Sequence, residues 1–215
     1  MKKRLIVGIS GATGAVYGVE ILKTLKAAKG WESHLILSDA GALNAWHELR
    51  MKRREIEKLA NVAYHPKDIA ATLSSGSYLT EGMVIAPCSM KTLAAVAHAH
   101  ADDLLSRAAD VVLKERRRLV LVPRETPLNL AHLRNMVAVT EMGGIVSPPV
   151  PAFYAQPKTI DELVAFMDAL PSTSTTTFRP VIRLPAMRGS PRARINSKSR
   201  ASWSSTPRVQ VWSSG

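Results

Sequence analysis

The sequence predicts a single α/β domain built on a doubly wound parallel sheet that helices cover on both faces. Short apolar runs alternate with helical patterns along residues 1–170, and Gly, Pro or Ser bound these runs. Strands separated by helices need right-handed crossovers, which make the strands parallel. A chain of 215 residues with 46% hydrophobic content can bury one core of this kind and leaves little room for a second domain.

Each element is predicted from its own pattern. The apolar runs predict five strands, namely Leu5–Ile9, His34–Leu37, Met83–Ala86, Leu119–Val122 and Ile145–Val146. The helical patterns cover Ala15–Ala28, Gly41 to about Leu59 as one helix or a broken one, Met90–His98, Leu104–Glu115, and Leu128–Met142 with Pro127 near its first turn. A final helix is predicted to begin after Thr159, whose side chain can cap it.

The basic charge is concentrated in the C-terminal segment. Of the formal net charge of +12, residues 171–215 contribute +8, from eight Lys and Arg and no acidic residue. This Ser-, Thr-, Pro- and Arg-rich segment cannot bury enough apolar surface to offset its ordering entropy. We therefore predict a folded domain over 1–170 and a disordered tail over 171–215. A nucleic-acid-binding arm is disfavoured because no aromatic platform interleaves the arginines apart from isolated Trp203 and Trp212. A shifted reading frame is a further explanation of the tail.

Several classes of protein are disfavoured by composition. The apolar run in the N-terminal "MKKRLIVGIS" breaks at Gly11, far short of the ~20 residues of a membrane span, so neither a signal peptide nor membrane association is expected. The single cysteine, Cys88, fits a reducing, cytoplasmic location. We expect Cys88 to be a small buried residue and not a nucleophile. The six histidines form no metal signature, so no metal site is expected.

Polar residues follow the predicted strands, where ligands of such sheets bind. These are Ser10 to Gly14, Ser38, Ser89 to Thr92, and Arg124 with Glu125. Hydroxyls, helix N-terminal amides and an arginine suit a phosphate. The sequence has neither the G-x-G-x-x-G of dinucleotide sites nor the G-K-[ST] of triphosphate loops. A mononucleotide such as FMN therefore fits best.

Five motifs, taken in their order along the chain, resemble those of one known family. They are "GISGATGAVYG", "SSGS", "PCSMKTLA", "RAADVVLKERRRLVLVPRETPL" and "PPVPAFYAQPKTIDELV". Together they resemble the flavin prenyltransferase family (UbiX-like, of phenylacrylic acid decarboxylase type) from about Lys2 to Ala169. The resemblance implies a flavodoxin-like, Rossmann-like sheet and transfer of a dimethylallyl group from dimethylallyl monophosphate to reduced FMN. The prenylated FMN would serve a UbiD-type decarboxylase, and the chain would form a homo-oligomer, a dodecamer with its sites between subunits.

The resemblance also implies which residues form the site. Those expected to bind FMN are Gly11, Ala12, Thr13, Ser38, Ser89, Met90, Lys91, Thr92 and Arg124. Those expected to bind the prenyl substrate are Arg107 and Tyr154, and those expected to act in catalysis are Glu48, Lys114 and Glu125. Lys114, Arg124 and Tyr154 would stabilise the leaving phosphate, and Glu48 and Glu125 would relay protons. Asp39 stands where the family frequently has a lysine.

Two alternatives remain. In the related cysteine-type decarboxylases, a "PASANT"-like motif stands where this chain has "PCSMKT", and a catalytic histidine lies near the first helix, where this chain has none. The second alternative is a flavin carrier or an impaired enzyme. The family's last helix supplies an arginine at the position of Leu170, and here Pro171 opposes further helix. We expect normal FMN binding and poor prenylation, unless Arg179 or Arg183 replaces that arginine.

Overall fold

A computed structural model describes residues 2–151, 153, 156–162 and 164. The strands are β1 (Lys3–Ile9), β2 (Trp31–Leu37), β3 (Val62–Tyr64), β4 (Gly82–Cys88), β5 (Arg118–Pro123) and β6 (Ile145–Val146). The helices are α1 (Ala15–Ala27), α2 (Asp39–Leu49), α3 (Arg53–Glu57), α4 (Met90–Ala97), α5 (Leu104–Lys114) and α6 (Leu130–Glu141). The expected alternation of strands and helices is therefore confirmed in the described part of the chain.

All six strands pair in parallel in one sheet of order β3-β2-β1-β4-β5-β6. The direction of winding reverses between β1 and β4, so the carboxyl ends of these two strands form the switch point where such sheets bind ligands. Without β3, the remaining five strands would have the flavodoxin order. The doubly wound parallel sheet that the sequence predicts is confirmed.

The sheet is apolar on both faces, as a buried parallel sheet requires. Leu5, Val7 and Ile9 point towards one core cluster, which includes Leu22 of α1. Ile6 points to the other face, where it belongs to a cluster that includes residues of α4 and α5. Helix α1 approaches the sheet closely at Gly18, where an added Cβ would collide with the carbonyl oxygen of Ala86. This close packing fixes the start of α1 next to the switch point.

The segment predicted as helical from Gly41 to about Leu59 is two helices, as the broken alternative allowed. Ser38 caps the first helix by accepting a hydrogen bond from the Gly41 amide at 2.9 Å, which moves its start to Asp39. Arg50 ends that helix with a left-handed backbone, at φ 56°. Similarly, Asn129 caps α6, so this helix begins at Leu130 and not at the expected Leu128.

The C-terminal predictions are tested only in part. Residues 160–162 and 164 are helical, and the Thr159 hydroxyl accepts a hydrogen bond from the Glu162 amide at 3.1 Å, which confirms the predicted cap. The expected disorder of 171–215 lies outside the described residues, as do Tyr154 and Leu170. Within the described residues, none of the helices is long and apolar enough to span a bilayer.

Candidate functional site

A pocket of about 490 Å³ opens at the switch point, at the carboxyl ends of β1, β4 and β5. Its lining residues are Gly11, Ala12, Thr13, Asn44, Ser89, Met90, Arg124, Glu125 and Thr126. The volume lies within the range of about 300–1,000 Å³ typical of small-molecule sites. All of these residues except Asn44 and Thr126 were predicted as site residues, so the structure brings the three predicted loops together.

The start of α4 gives the pocket its anion-binding character. Ser89 follows β4, and its hydroxyl accepts a hydrogen bond from the Thr92 amide at 3.2 Å and lies 3.0 Å from the Thr92 hydroxyl. With the Thr92 amide capped, the amides of Met90 and Lys91 are donors that the helix itself cannot pair. Amides in this position, at the positive end of the helix dipole, favour an anion.

Arg124, from the loop after β5, also lines the pocket. A guanidinium nitrogen of Arg124 donates to the hydroxyl of Thr13, which links the loop after β5 to the loop after β1. The side chain of Glu125 is exposed and accepts a hydrogen bond from the adjacent Thr126 amide at 3.0 Å. The lining of the pocket therefore includes the positive charge of Arg124 and the carboxylate of Glu125.

The N-terminus of α1 is already occupied by a side chain. The Glu48 carboxylate, from the end of α2, accepts hydrogen bonds from the Gly14 amide at 2.8 Å and the Ala15 amide at 2.9 Å. A carboxylate in this position stabilises the helix dipole. The amides of Gly14 and Ala15 are thus paired with Glu48, which leaves the start of α4 as the better phosphate site. Glu48 itself does not line the pocket.

Ser38 and the residues around it perform a structural task in this chain. The Ser38 hydroxyl caps α2 and does not line the pocket. Asp39 forms an ion pair with Arg53 at 2.8 Å, and Arg53 also donates to the Leu37 carbonyl oxygen at 2.9 Å. Arg53 thereby neutralises Asp39, which lies 14 residues earlier and stands where the family frequently has a lysine.

Arg107 and Lys114 do not line the pocket of their own chain. Helix α5 starts where Leu104 donates to the Pro66 carbonyl oxygen, just beyond β3, and ends next to the start of β5. Its eleven residues span roughly 16 Å, so Lys114 lies at the amino end of the sheet, opposite the pocket. There Lys114 pairs with Glu115 at 2.5 Å, and this hydrogen bond lowers the pKa of the Glu115 carboxyl. Arg107 pairs with Asp110 at 2.7 Å.

Cys88 is fully buried, as expected from the sequence. Burial raises the pKa of its thiol, so the reactive thiolate is strongly disfavoured. Within the described residues, His, Cys, Asp and Glu side chains form no group of three or more that could hold a metal ion. Asn44 also lines the pocket, but the sequence does not predict it, because an isolated asparagine in a helix carries no motif.

The model of the Flavoprotein family matches residues 1–172. Flavin prenyltransferase UbiX of Neisseria meningitidis serogroup B is 55% identical over 165 residues, which cover 77% of this chain and 87% of that protein. UbiX of Salmonella typhimurium is 53% identical over 162 residues, 75% of this chain and 86% of that protein.

Two solved structures are also similar. A dodecameric FMN-dependent UbiX-like decarboxylase from Escherichia coli O157:H7 has a TM-score of 0.77 and 48% identity, over 78% of this chain and 90% of that chain. AnUbiX (PadA1), solved in complex with FMN and dimethylallyl pyrophosphate, has a TM-score of 0.77 and is 44% identical. The match covers 79% of this chain and 90% of that chain.

The chain has a doubly wound parallel sheet with an anion-binding pocket at its switch point, and one family model matches residues 1–172, which include the whole sheet. Together these features define a flavoprotein. The relatives narrow this class further. The chain belongs to the Flavoprotein family and, within it, to the UbiX-like flavin prenyltransferases.

Proposed function

We propose that this chain binds FMN in the pocket at the switch point and transfers a dimethylallyl group from dimethylallyl monophosphate to the reduced flavin. The observation that carries the proposal is the start of α4, where Ser89 and Met90 line a pocket that Arg124 also lines and where the first amides have no partner within the helix. Relatives at 44% identity or more include one solved with FMN and dimethylallyl pyrophosphate. The chain's anion-binding pocket suits the phosphates of both ligands.

The FMN phosphate is assigned to the first turn of α4. The amides of Met90 and Lys91 would donate to it, and Ser89 and Thr92 would hold the turn in place through their mutual hydrogen bonds. Gly11, Ala12 and Thr13, from the loop after β1, line the same pocket. Gly11 suits this position because a Cβ there would lie 2.6 Å from the Cβ of Ala40.

The residues around the prenyl donor must stabilise charge and move protons. Reduced FMN, when bound, supplies an electron-rich ring that accepts the dimethylallyl group. Arg124 would stabilise the phosphate as it leaves, because a preorganised cation is most effective where charge develops. Glu125 would take up the proton released when the new ring closes, and Tyr154 would assist at the phosphate.

A second copy of the chain is needed to complete this site. Lys114 lies at the far end of its own sheet, so only another subunit can present it to the pocket. A surface suited to such a contact exists on α6, where Leu130, Leu133 and Val137 are 46–59% exposed and only Val139 is buried within the described chain. We assign the chain to a homo-oligomer, a dodecamer like its relative from Escherichia coli O157:H7, with Arg107 and Lys114 reaching a neighbour's pocket.

The product would be a prenylated FMN, which serves a UbiD-type decarboxylase as cofactor. Anaerobic incubation of the full-length protein with reduced FMN and dimethylallyl monophosphate, followed by mass spectrometry of the flavin, tests the reaction. We expect a flavin heavier by one dimethylallyl group. If FMN binds and its mass stays unchanged, the chain is a flavin carrier or an impaired enzyme. If FMN does not bind, the assignment of the pocket is wrong.

The impaired enzyme is the second candidate, because Leu170 stands where the family has an arginine. The cysteine-type decarboxylases are weaker candidates. The peptidyl-cysteine decarboxylase EpiD is 16% identical with a TM-score of 0.55, which shows a shared fold alone. Helix α1 also contains no histidine, since the first histidine of the chain is His34 in β2.

A further inference from the structure

Ser10 joins two of the segments that line the pocket, the loop after β1 and the start of α4. It directly follows β1 and is 1% exposed. Its hydroxyl donates to the carbonyl oxygen of Pro87 at 3.0 Å and accepts a hydrogen bond from the amide of Ser89 at 2.7 Å. Its own amide donates to the same Pro87 carbonyl oxygen at 3.1 Å. Two hydrogen bonds therefore connect the end of β1 to Pro87 of β4, and a third connects it to Ser89 at the start of α4.

These hydrogen bonds lie where the regular sheet no longer connects the two strands. The pairing of β1 with β4 ends at Gly8 and Ile85. Beyond that point β4 becomes irregular, with a register shift between Ile85 and Cys88. In the described part of the chain, Ser10 therefore links β1 to β4 at the level of the pocket.

The link determines where the first turn of α4 points. Ser89 is the capping residue of α4, and its amide is held by Ser10 while its hydroxyl holds the Thr92 amide. The unpaired amides of Met90 and Lys91 lie between these two fixed points. A small rotation of Ser89 would move both donors relative to Gly11–Thr13 on the facing loop, and binding depends on such positions to within about 0.5 Å.

We propose that Ser10 is a positioning residue for flavin binding. It does not line the pocket, and it acts by fixing the first turn of α4 against the loop after β1. The proposal rests on the proposed function, because it assumes that FMN occupies this pocket. Removal of the hydroxyl should therefore weaken FMN binding more than the loss of stability alone would do.

The chain offers a closely matched control in Ser33. Ser33 is also fully buried, and its hydroxyl also donates one hydrogen bond and accepts one from a backbone amide, both with Asn61 at 3.1 Å. It lies in the first half of β2, paired with Leu5 of β1, and therefore away from the pocket. Ser10→Ala and Ser33→Ala remove the same atom from similarly buried sites.

The experiment measures the Kd of FMN by quenching of flavin fluorescence, and the free energy of unfolding by urea, for the full-length variants. We expect Ser10→Ala to raise the Kd about tenfold, and Ser33→Ala to leave it unchanged while losing as much stability. Ser10→Thr keeps the hydroxyl and should restore binding. At saturating FMN, Ser10→Ala should regain most of the wild-type kcat, since Ser10 does not contact the reacting atoms.

Two results would overturn the proposal. One is an unchanged Kd in Ser10→Ala, and the other is an equal rise in Kd in both alanine variants, which would make the effect one of stability. The double variant Ser89→Ala/Thr92→Ala separates this failure from failure of the proposed function. If that variant loses FMN while Ser10→Ala does not, the pocket is correct and the role of Ser10 is wrong. If neither loses FMN, the pocket itself is wrong.

Discussion

The carboxylate of Glu48 accepts hydrogen bonds from the backbone amide of Gly14 through both of its oxygens, at 3.0 and 2.8 Å. The loop between β1 and α1 resembles a phosphate-binding turn in sequence, yet its helix amides are paired with a carboxylate of the chain itself. The arrangement gives Glu48 two roles that experiment can separate. One is to hold the loop between β1 and α1 in place, and the other is to relay protons, as predicted from the sequence.

Substitution of Glu48 tests these roles. Glu48→Ala should lower the free energy of unfolding by about 1 kcal/mol, the usual effect of losing a helix cap, because the amides of Gly14 and Ala15 lose their acceptor. Glu20→Ala removes a half-buried carboxylate of α1 that forms a surface ion pair with Lys23 at 2.6 Å, and it should change stability by less than about 0.5 kcal/mol. Urea denaturation of both variants without flavin measures the difference. Equal stabilities, combined with a slower prenylation rate in Glu48→Gln, would leave the relay as the sole role.

Glu125 is predicted to act in catalysis and not in flavin binding. Glu125→Gln keeps the shape of the side chain and its acceptor for the Thr126 amide, so the Kd of FMN should stay the same. The rate of prenylated flavin formation should fall by roughly 10²-fold or more, as for removal of a general base. Anaerobic single-turnover kinetics measure this rate, with Glu20→Gln as the control. A wild-type rate in Glu125→Gln would remove Glu125 from the mechanism.

His34 makes the stability of the fold depend on pH. It is buried in β2, with its Nδ1 3.0 Å from the Tyr64 hydroxyl and its Nε2 3.5 Å from a Glu32 oxygen. Burial lowers the pKa of His34 below its ordinary value of 6.5, and Arg4 adds to this effect, while Glu32 opposes it. The unfolded chain therefore binds a proton at a higher pH than the folded chain does.

Acidification therefore destabilises the fold through His34. The stability contributed by neutral His34 is fully present above pH 6.5 and is lost as the pH falls from there towards the lowered folded-state pKa. Urea unfolding at a series of pH values measures this slope. His34→Gln should flatten the profile in this window, whereas His65→Gln, at an exposed position, should leave it unchanged. A wild-type slope in His34→Gln would assign the pH dependence to other groups.

The parts of the fold that the sequence predicts well are those with a long or repeated pattern. The strands around Leu5, Met83 and Leu119 are continuous apolar runs, and each was found within a few residues of its predicted bounds. The edge strand Val62–Tyr64 was missed because three residues carry no periodicity. The break at Arg50 was left open because a left-handed backbone at a non-glycine residue leaves no signature in the sequence.

The candidate site shows a similar division. Residues that follow strands, such as Thr13, Ser89 and Arg124, were predicted together because strand ends share one edge of the sheet. Asn44 was missed because a helix from outside the motifs brings it to the pocket. The placement of Glu48 on Gly14, across 34 residues of sequence, depends on how α2 packs beside α1, which no local pattern encodes.

Leu170 stands where the resemblance implies an arginine that binds the prenyl phosphate. Losing a hydrogen bond between charged groups costs about 1.5–3 kcal/mol, or roughly ten- to a hundredfold in affinity. We therefore expect a raised KM for dimethylallyl monophosphate in this chain and an unchanged Kd for FMN. Leu170→Arg should lower that KM towards the values of relatives, whereas Leu170→Gln, which adds polarity without charge, should not. Truncation after Ala169 should leave FMN binding and the residual prenylation intact. If truncation instead abolishes a robust transfer, an arginine of the segment 171–215, such as Arg179 or Arg183, supplies the missing charge.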